Sequence, residues 1–198
     1  HSYSSAASDV YKRQQLGNLK MIIGTLKEKK KFENRVAISP DEVKSYLKSG
    51  HQVLIEKGAG SLSGFTDKSY KEAGATITNS KEVLKTSEII IKINCPSPEE
   101  SKLINNKAMV VSQISTQNNQ ESIKILNSRK VSAFALELVP RITRAQDMDI
   151  LSSQANLAGY HAVIDAAQEF NRVLPLFMTA AGKVTPANVL VIGAGVAG

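Results

Sequence analysis

The chain has 198 residues, of which 42% are hydrophobic and 5% aromatic, enough to bury a core and typical of an α/β protein. Its lone cysteine, Cys95, excludes an internal disulfide, and no Cys/His cluster has metal-ligand spacing, so a reducing compartment without a structural metal is expected. The net charge of +7 comes mostly from scattered lysines. The short run Lys27, Lys29, Lys30 and Lys31 has only Phe32 beside it, which falls short of the stacking platform that nucleic acid requires. No apolar run reaches the roughly 18 to 20 residues of a membrane-spanning helix, so any membrane link is expected to be peripheral, through a partner.

Residues 1 to 20 are rich in Ser, Ala and Gln and lack the apolar region of a secretory signal, so a disordered or non-native extension is expected, with Met21 as the natural start. Met21 to Leu26 then reads as a strand. Pro40 follows Ser39 at a first helical position and opens a helix through Val43, Tyr46 and Leu47 that stops at Gly50. Gln52 to Ile55 is the next strand, and Gly58, Gly60 and Gly64 mark a loop before a helix near Lys68 to Ala73. A brief strand at Thr76 to Ile77 precedes a helix capped by Ser80 and running to about Thr86. Glu88 to Ile93 reads as a buried strand cut off by Pro96 and Pro98. A helix Pro98 to Ile104, a strand Ala108 to Gln113, a helix Asn118 to Asn127 and a strand Val131 to Leu136 follow.

Strands alternating with helices of about ten residues predict right-handed βαβ units and a doubly wound parallel sheet, Rossmann- or flavodoxin-like. In such sheets ligands sit at the carboxyl ends of the strands. The loops to search are therefore Lys27 to Ser39, Asn94 to Pro98, Ile114 to Gln117 and Glu137 to Ser153.

Gln154 to Arg172 reads as one long helix whose small residues Ala155, Gly159, Ala162 and Ala166 permit close backbone approach. Beyond Pro175 the apolar run Val189 to Ile192 is a predicted strand, followed by Gly193-Ala194-Gly195-Val196-Ala197-Gly198. A G-x-G-x-x-G after a strand is the dinucleotide fingerprint: one glycine permits the tight turn and the next lets a pyrophosphate approach the backbone. The organisation predicted is a first domain over 21–153, a linking helix and connection over 154–187, and the first strand of a second, Rossmann domain over 188–198. The helix that would hold the phosphate and a later acidic residue for the ribose are not among these residues, so no useful NAD affinity and no activity are expected of the 198 residues alone.

The densest polar group is Arg141, Thr143, Arg144, Gln146, Asp147, Asp149, Ser152, Ser153 and Gln154. It reads either as a solvated connection in which Ser152 or Ser153 caps the helix, or as a ligand loop at a strand's carboxyl end. In the second reading Arg pairs with phosphate or carboxylate and Gln offers donor and acceptor to an amide.

Four strings carry a resemblance: Asn34 to Pro40 (NRVAISP), Pro140 to Gln146 (PRITRAQ), Leu151 to Tyr160 (LSSQANLAGY) and Ala180 to Lys183 (AAGK). They closely resemble the alpha subunit of proton-translocating NAD(P) transhydrogenase, within the alanine dehydrogenase/transhydrogenase superfamily, over nearly all of 21–198. Alanine dehydrogenase is the alternative, sharing an arginine at Arg35 that there binds the substrate carboxylate. It also carries a substrate lysine where this chain has Asn94, and a catalytic histidine in the loop that here reads Ile114-Ser115-Thr116-Gln117. A keto-acid reductase needs a cation for the carboxylate and a proton donor for the carbonyl oxygen. Lys92 is expected to point to the opposite face from that lysine, His51 opens a strand at its amino end, and His161 is expected on a helix surface.

The resemblance implies NAD(H) on this subunit and NADP(H) on a partner component, with direct hydride transfer coupled to proton translocation by a transmembrane component. It also implies an intact subunit that is a homodimer, cytoplasmic and peripheral on the inner face of the plasma (inner) membrane. Carried over by position, Arg141, Gln146, Asp149 and Ser152 surround the nicotinamide and its ribose, and Gly193, Gly195 and Gly198 approach the cofactor. In that assignment Gln146 and Ser152 orient the carboxamide, while Arg141 and Asp149 hold one another. Asp147 departs from the small neutral residue usual in the family and adds a negative charge there.

Overall fold

The computed structural model describes residues 20–198; the expectation for residues 1–20 therefore lies, apart from Lys20, outside the described residues. The chain forms two compact units, one ending at Leu136 and the other spanning Glu137–Gly198.

The first unit is built on six strands: β1 (Ile22–Thr25), β2 (Gln52–Glu56), β3 (Thr76–Thr78), β4 (Ile89–Asn94), β5 (Met109–Gln113) and β6 (Ser132–Ala135). All five neighbouring pairs are parallel, in the order β3-β2-β1-β4-β5-β6. That order is the Rossmann one and not the flavodoxin-like one. The strand order reverses between β1 and β4, so the loops leaving these neighbours part and open a crevice at their carboxyl ends.

Five helices connect the strands: α1 (Pro40–Lys48), α2 (Asp67–Glu72), α3 (Ser80–Thr86), α4 (Pro98–Leu103) and α5 (Gln120–Ser128). Both Ser39-Pro40-Asp41-Glu42 and Ser97-Pro98-Glu99-Glu100 form capping boxes, with serine oxygen on the third helical N–H and glutamate returned to the cap N–H. The cap of α3 is Asn79, one residue before the predicted Ser80, because its side-chain oxygen reaches Glu82 N at 3.0 Å. α5 begins at Gln120, later than predicted, because Asn119 turns its amide back onto the Ile114 carbonyl at 2.8 Å.

Successive residues of β4 serve opposite faces, as period two requires. Ile90 packs with Leu26, Val83, Val110 and Leu126, whereas Ile89 and Ile91 pack with Ile23, Val43, Val53, Ile55 and Tyr70. A helix layer lies over each face. At Gly24 of β1 an added Cβ would strike Ser87 and Val83, so glycine is what lets α3 approach the sheet.

The second unit holds two short 3-10 stretches, Leu136–Leu138, begun at the unit boundary, and Thr143–Met148, then α6 (Ile150–Glu169) and an antiparallel hairpin of β7 (Phe177–Thr179) and β8 (Gly182–Val184). The hairpin was not predicted. The long helix starts four residues earlier than expected: Asp149 is the cap, accepting from Ser152 N, so neither Ser152 nor Ser153 caps it. Val189 to Ile192 forms no strand, and all four residues are exposed, because no neighbouring strand pairs with them. Among the described residues no helix is long and apolar enough to cross a membrane.

Candidate functional site

In the first unit, the loops after β1, β4 and β5 enclose a cavity of about 510 Å³ at the carboxyl edge. A buried ion triad underlies it. Lys92 of β4 donates to Glu100 Oε2 at 2.9 Å, and Lys29 from the β1 loop reaches Glu100 Oε1 at 2.8 Å. Burial pushes the Glu100 carboxyl up, but the charge of Lys92, the hydrogen bonds from Lys29 and Lys92 and that from Ser97 N outweigh it, leaving the group below its ordinary range. The same bond to Glu100 holds the Lys29 ammonium above its ordinary value despite partial desolvation.

Asn94 lies on the same face as Lys92, two residues along, and both line the cavity. The expectation that Lys92 points away is therefore overturned: positions 92 and 94 differ by one full strand period. Lys92 is nonetheless committed, with its side chain 3% exposed against Glu100. The Asn94 amide donates to Glu28 Oε2 at 3.2 Å and Glu33 Oε2 at 3.3 Å, and Glu28 also accepts from Ile93 N at 2.8 Å. Glu33 receives the Arg35 fork, Nε and Nη2 each at 2.7 Å. That bidentate bond depresses the Glu33 carboxyl and raises Arg35 further.

In the second unit the polar loop folds around Asp149. Its Oδ1 accepts from Ser152 N at 2.9 Å and its Oδ2 from Ser152 Oγ at 2.7 Å. These bonds hold the Asp149 carboxyl below its ordinary range, with Arg141 a weaker influence through space. Arg141 and Asp149 do not grip each other as the sequence reading supposed: Ser152 takes both carboxylate oxygens. Arg141, Gln146 and Asp149 line one recess of about 230 Å³. Arg141 also lines a second, of about 410 Å³, with Ser152, Gly193, Gly195 and Gly198. Asp147 lines neither. At Gly159 of α6 any Cβ would strike the backbone of Ala197, so of the small-residue stripe it is Gly159 that admits the glycine segment. His161 is exposed as expected and pairs with Asp165 at 3.0 Å.

The seven site residues predicted from sequence thus gather in the second unit, in two recesses that share Arg141. Sequence reasoning missed the roles of Glu28, Glu33, Lys92 and Glu100. Two signals were available: the two-residue spacing of Lys92 and Asn94, and the S-x-x-E capping pattern that places Glu100 beneath the β4 loop.

The family model for the alanine dehydrogenase/PNT N-terminal domain matches residues 24–158. The chain belongs to that family. The alanine dehydrogenase/PNT C-terminal domain model matches 162–198. Among relatives of this alanine dehydrogenase/PNT chain, NAD(P) transhydrogenase subunit alpha of Haemophilus influenzae is 47% identical over 178 residues, covering 90% of this chain and 35% of the relative. The alanine dehydrogenase of Methanococcus maripaludis is 34% identical over 182 residues, with 90% and 48% covered. The crystal structure of a transhydrogenase from Sinorhizobium meliloti superposes with a TM-score of 0.85 at 46% identity, over 89% of this chain and 53% of that one. The chain thus spans between about a third and about half the length of these relatives.

Proposed function

We propose that the chain is part of the NAD(H)-binding component of a proton-translocating NAD(P) transhydrogenase of the Re/Si-specific type. In this reading a partner component holds NADP(H), and a membrane component moves the proton. The observation that carries it is the recess in which Arg141 and Ser152 stand with Gly193, Gly195 and Gly198.

The residues present fit a dinucleotide. Gly193 and Gly195 have nothing within 4 Å of where a Cβ would stand, leaving the backbone open to a phosphate. Arg141 offers a planar fork of donors, and Gln146 both donor and acceptor. Ser152 gives its hydroxyl proton to Asp149, which leaves Oγ free to accept from an amide N–H. Asp149 is accordingly a positioning residue: it fixes Ser152 and starts α6. When bound, NAD(H) supplies or receives the hydride, and these side chains set its face and distance. Holding reactants at about 3 to 3.5 Å lowers a barrier by several kcal/mol.

Residues 21–153, 154–187 and 188–198 then serve as the first domain, the link and the beginning of the NAD(H)-binding domain, in an intact subunit that is dimeric and peripheral on the inner membrane face. The 198 residues alone have no useful affinity for NADH, since the glycine segment here opens no helix; micromolar affinity by calorimetry would contradict this.

A second reading, alanine-type amino-acid oxidation, is favoured by Arg35 and by the alanine dehydrogenase likeness. Against it, Asn94 stands where the substrate lysine is needed, with its amide engaged by two carboxylates, and a substrate carboxylate would compete with Glu33 for Arg35. Hydride transfer between nucleotides by the intact subunit and its partner, without pyruvate or ammonia, supports the first reading; pyruvate-dependent NADH oxidation overturns it.

A further inference from the structure

The cavity of about 510 Å³ at the carboxyl edge is formed wholly by the first unit, and neither nucleotide recess uses any of its residues. It opens where the loops after β1 and β4 part, the place at which doubly wound sheets take their ligands. Its size suits a small organic molecule better than a bare ion. Lys29, Lys30 and Lys92 line it against Glu28 and Glu100, which leaves one positive charge in excess. Lys29 and Lys92 both pair with Glu100, whereas Lys30 is exposed and, among the described residues, enters no ion pair. The buried Lys92 ammonium has three N–H donors and gives one to Glu100, so donors remain there as well.

The neutral groups around the cavity divide by what they have left. Asn94 donates to Glu28 and Glu33, and Asn119 to the carbonyls of Ile114 and Ser115, so each keeps a side-chain oxygen that can accept. The side chains of Gln113 and Asn118 make no hydrogen bond among the described residues and offer both donor and acceptor. We infer that this cavity binds a small phosphate ester that carries hydroxyl groups. A lysine serves a phosphate as a point charge, and Lys30 and Lys92 supply that charge. A carboxylate is better served by the planar fork of an arginine, but Arg35 does not line the cavity and gives its fork to Glu33. The ligand's hydroxyls donate to the Asn94 and Asn119 oxygens and accept from Gln113 and Asn118. No aromatic ring lines the cavity among the described residues, so a nucleobase would find no face on which to stack.

The test uses the intact subunit containing this chain, saturated with NADH so that the nucleotide site cannot take the phosphate, and calorimetric titration with glycerol 3-phosphate as the probe. Lys30→Met should weaken the probe about tenfold or more and Gln113→Leu about three- to tenfold, with melting temperature and NADH affinity unchanged. Lys31→Met, one residue along the loop and outside the cavity, should leave the probe's affinity within about twofold. Glycerol, which lacks the charge, and inorganic phosphate, which lacks the hydroxyls, should each bind more weakly than the probe. No binding of the probe at millimolar concentration overturns the proposal. An equal loss in Lys30→Met and Lys31→Met marks general surface charge and overturns it too. Either failure leaves the transhydrogenase reading standing. Pyruvate bound in preference to the probe overturns the phosphate class and favours the amino-acid oxidation reading instead.

Discussion

Glu100→Gln removes the one carboxylate that serves two ammonium groups beneath the carboxyl edge. The Lys92 side chain is 3% exposed, so the substitution leaves a buried, unpaired charge. Breaking such a pair costs about 3 to 5 kcal/mol. Lys29 contributes little to that figure: its side chain is 61% exposed, which limits the pair to under about 1 kcal/mol. Against a domain stability of about 5 to 15 kcal/mol the loss is large. With a urea slope near 2 kcal/mol per molar, the unfolding midpoint falls by about 2 M. The companion Lys92→Met, Glu100→Gln recovers most of the loss, since removing both charges removes the desolvation problem, whereas Lys29→Met shifts the midpoint only slightly. The pH dependence has a definite sign. A carboxyl depressed on folding contributes stability that is present above its unfolded pKa and lost as pH falls through its folded one. The parent therefore loses more stability than Glu100→Gln on acidification below the ordinary carboxylate range. A Glu100→Gln midpoint within about 0.5 M of the parent's, or a double variant no better than the single, refutes the reasoning.

Tyr70→Phe deletes a buried hydroxyl that donates to the Ile38 carbonyl at 2.7 Å, so chemical denaturation should show a loss of about 1 to 3 kcal/mol. Burial pushes the Tyr70 phenol up to about 12, so spectrophotometric titration should find it ionising after an exposed tyrosine. Gly159→Ala drives a Cβ into the Ala197 backbone; in the intact subunit it should lower NADH affinity, read by fluorescence titration, with little change in helix content by circular dichroism. Arg141→Ala should depress turnover of the intact enzyme more than its melting temperature, and an equal loss of both would mark Arg141 as structural. Asp149→Asn keeps a cap yet weakens the grip on Ser152, and should lower kcat with little effect on NADH affinity.

The sheet was legible because its strands are apolar runs punctuated by Pro, Gly and Ser, and the capping boxes at Ser39 and Ser97 announce α1 and α4. The hairpin from Phe177 to Val184 was not, since three-residue strands joined through Ala180 and Ala181 have neither a period nor a strong turn residue at their centre. Asp149 was passed over as the cap because two serines followed it, and only the fold shows its oxygens facing Ser152. Val189 to Ile192 has the composition of a strand, but a strand exists only with a partner to pair with. Lys92 was assigned to the wrong face by a slip in register, the error to which period-two structure is most sensitive.

The proposed reading is that the intact subunit holds one nucleotide for exchange with another and does not reduce a keto acid. It is tested most directly by mixing the intact subunit with the proposed NADP(H)-binding component and following reduction of an NAD analogue by NADPH, with pyruvate and ammonia first absent and then added. The expected result is transfer that is complete without them and unchanged by their addition. NADH oxidation that appears only when pyruvate and ammonia are supplied would contradict it.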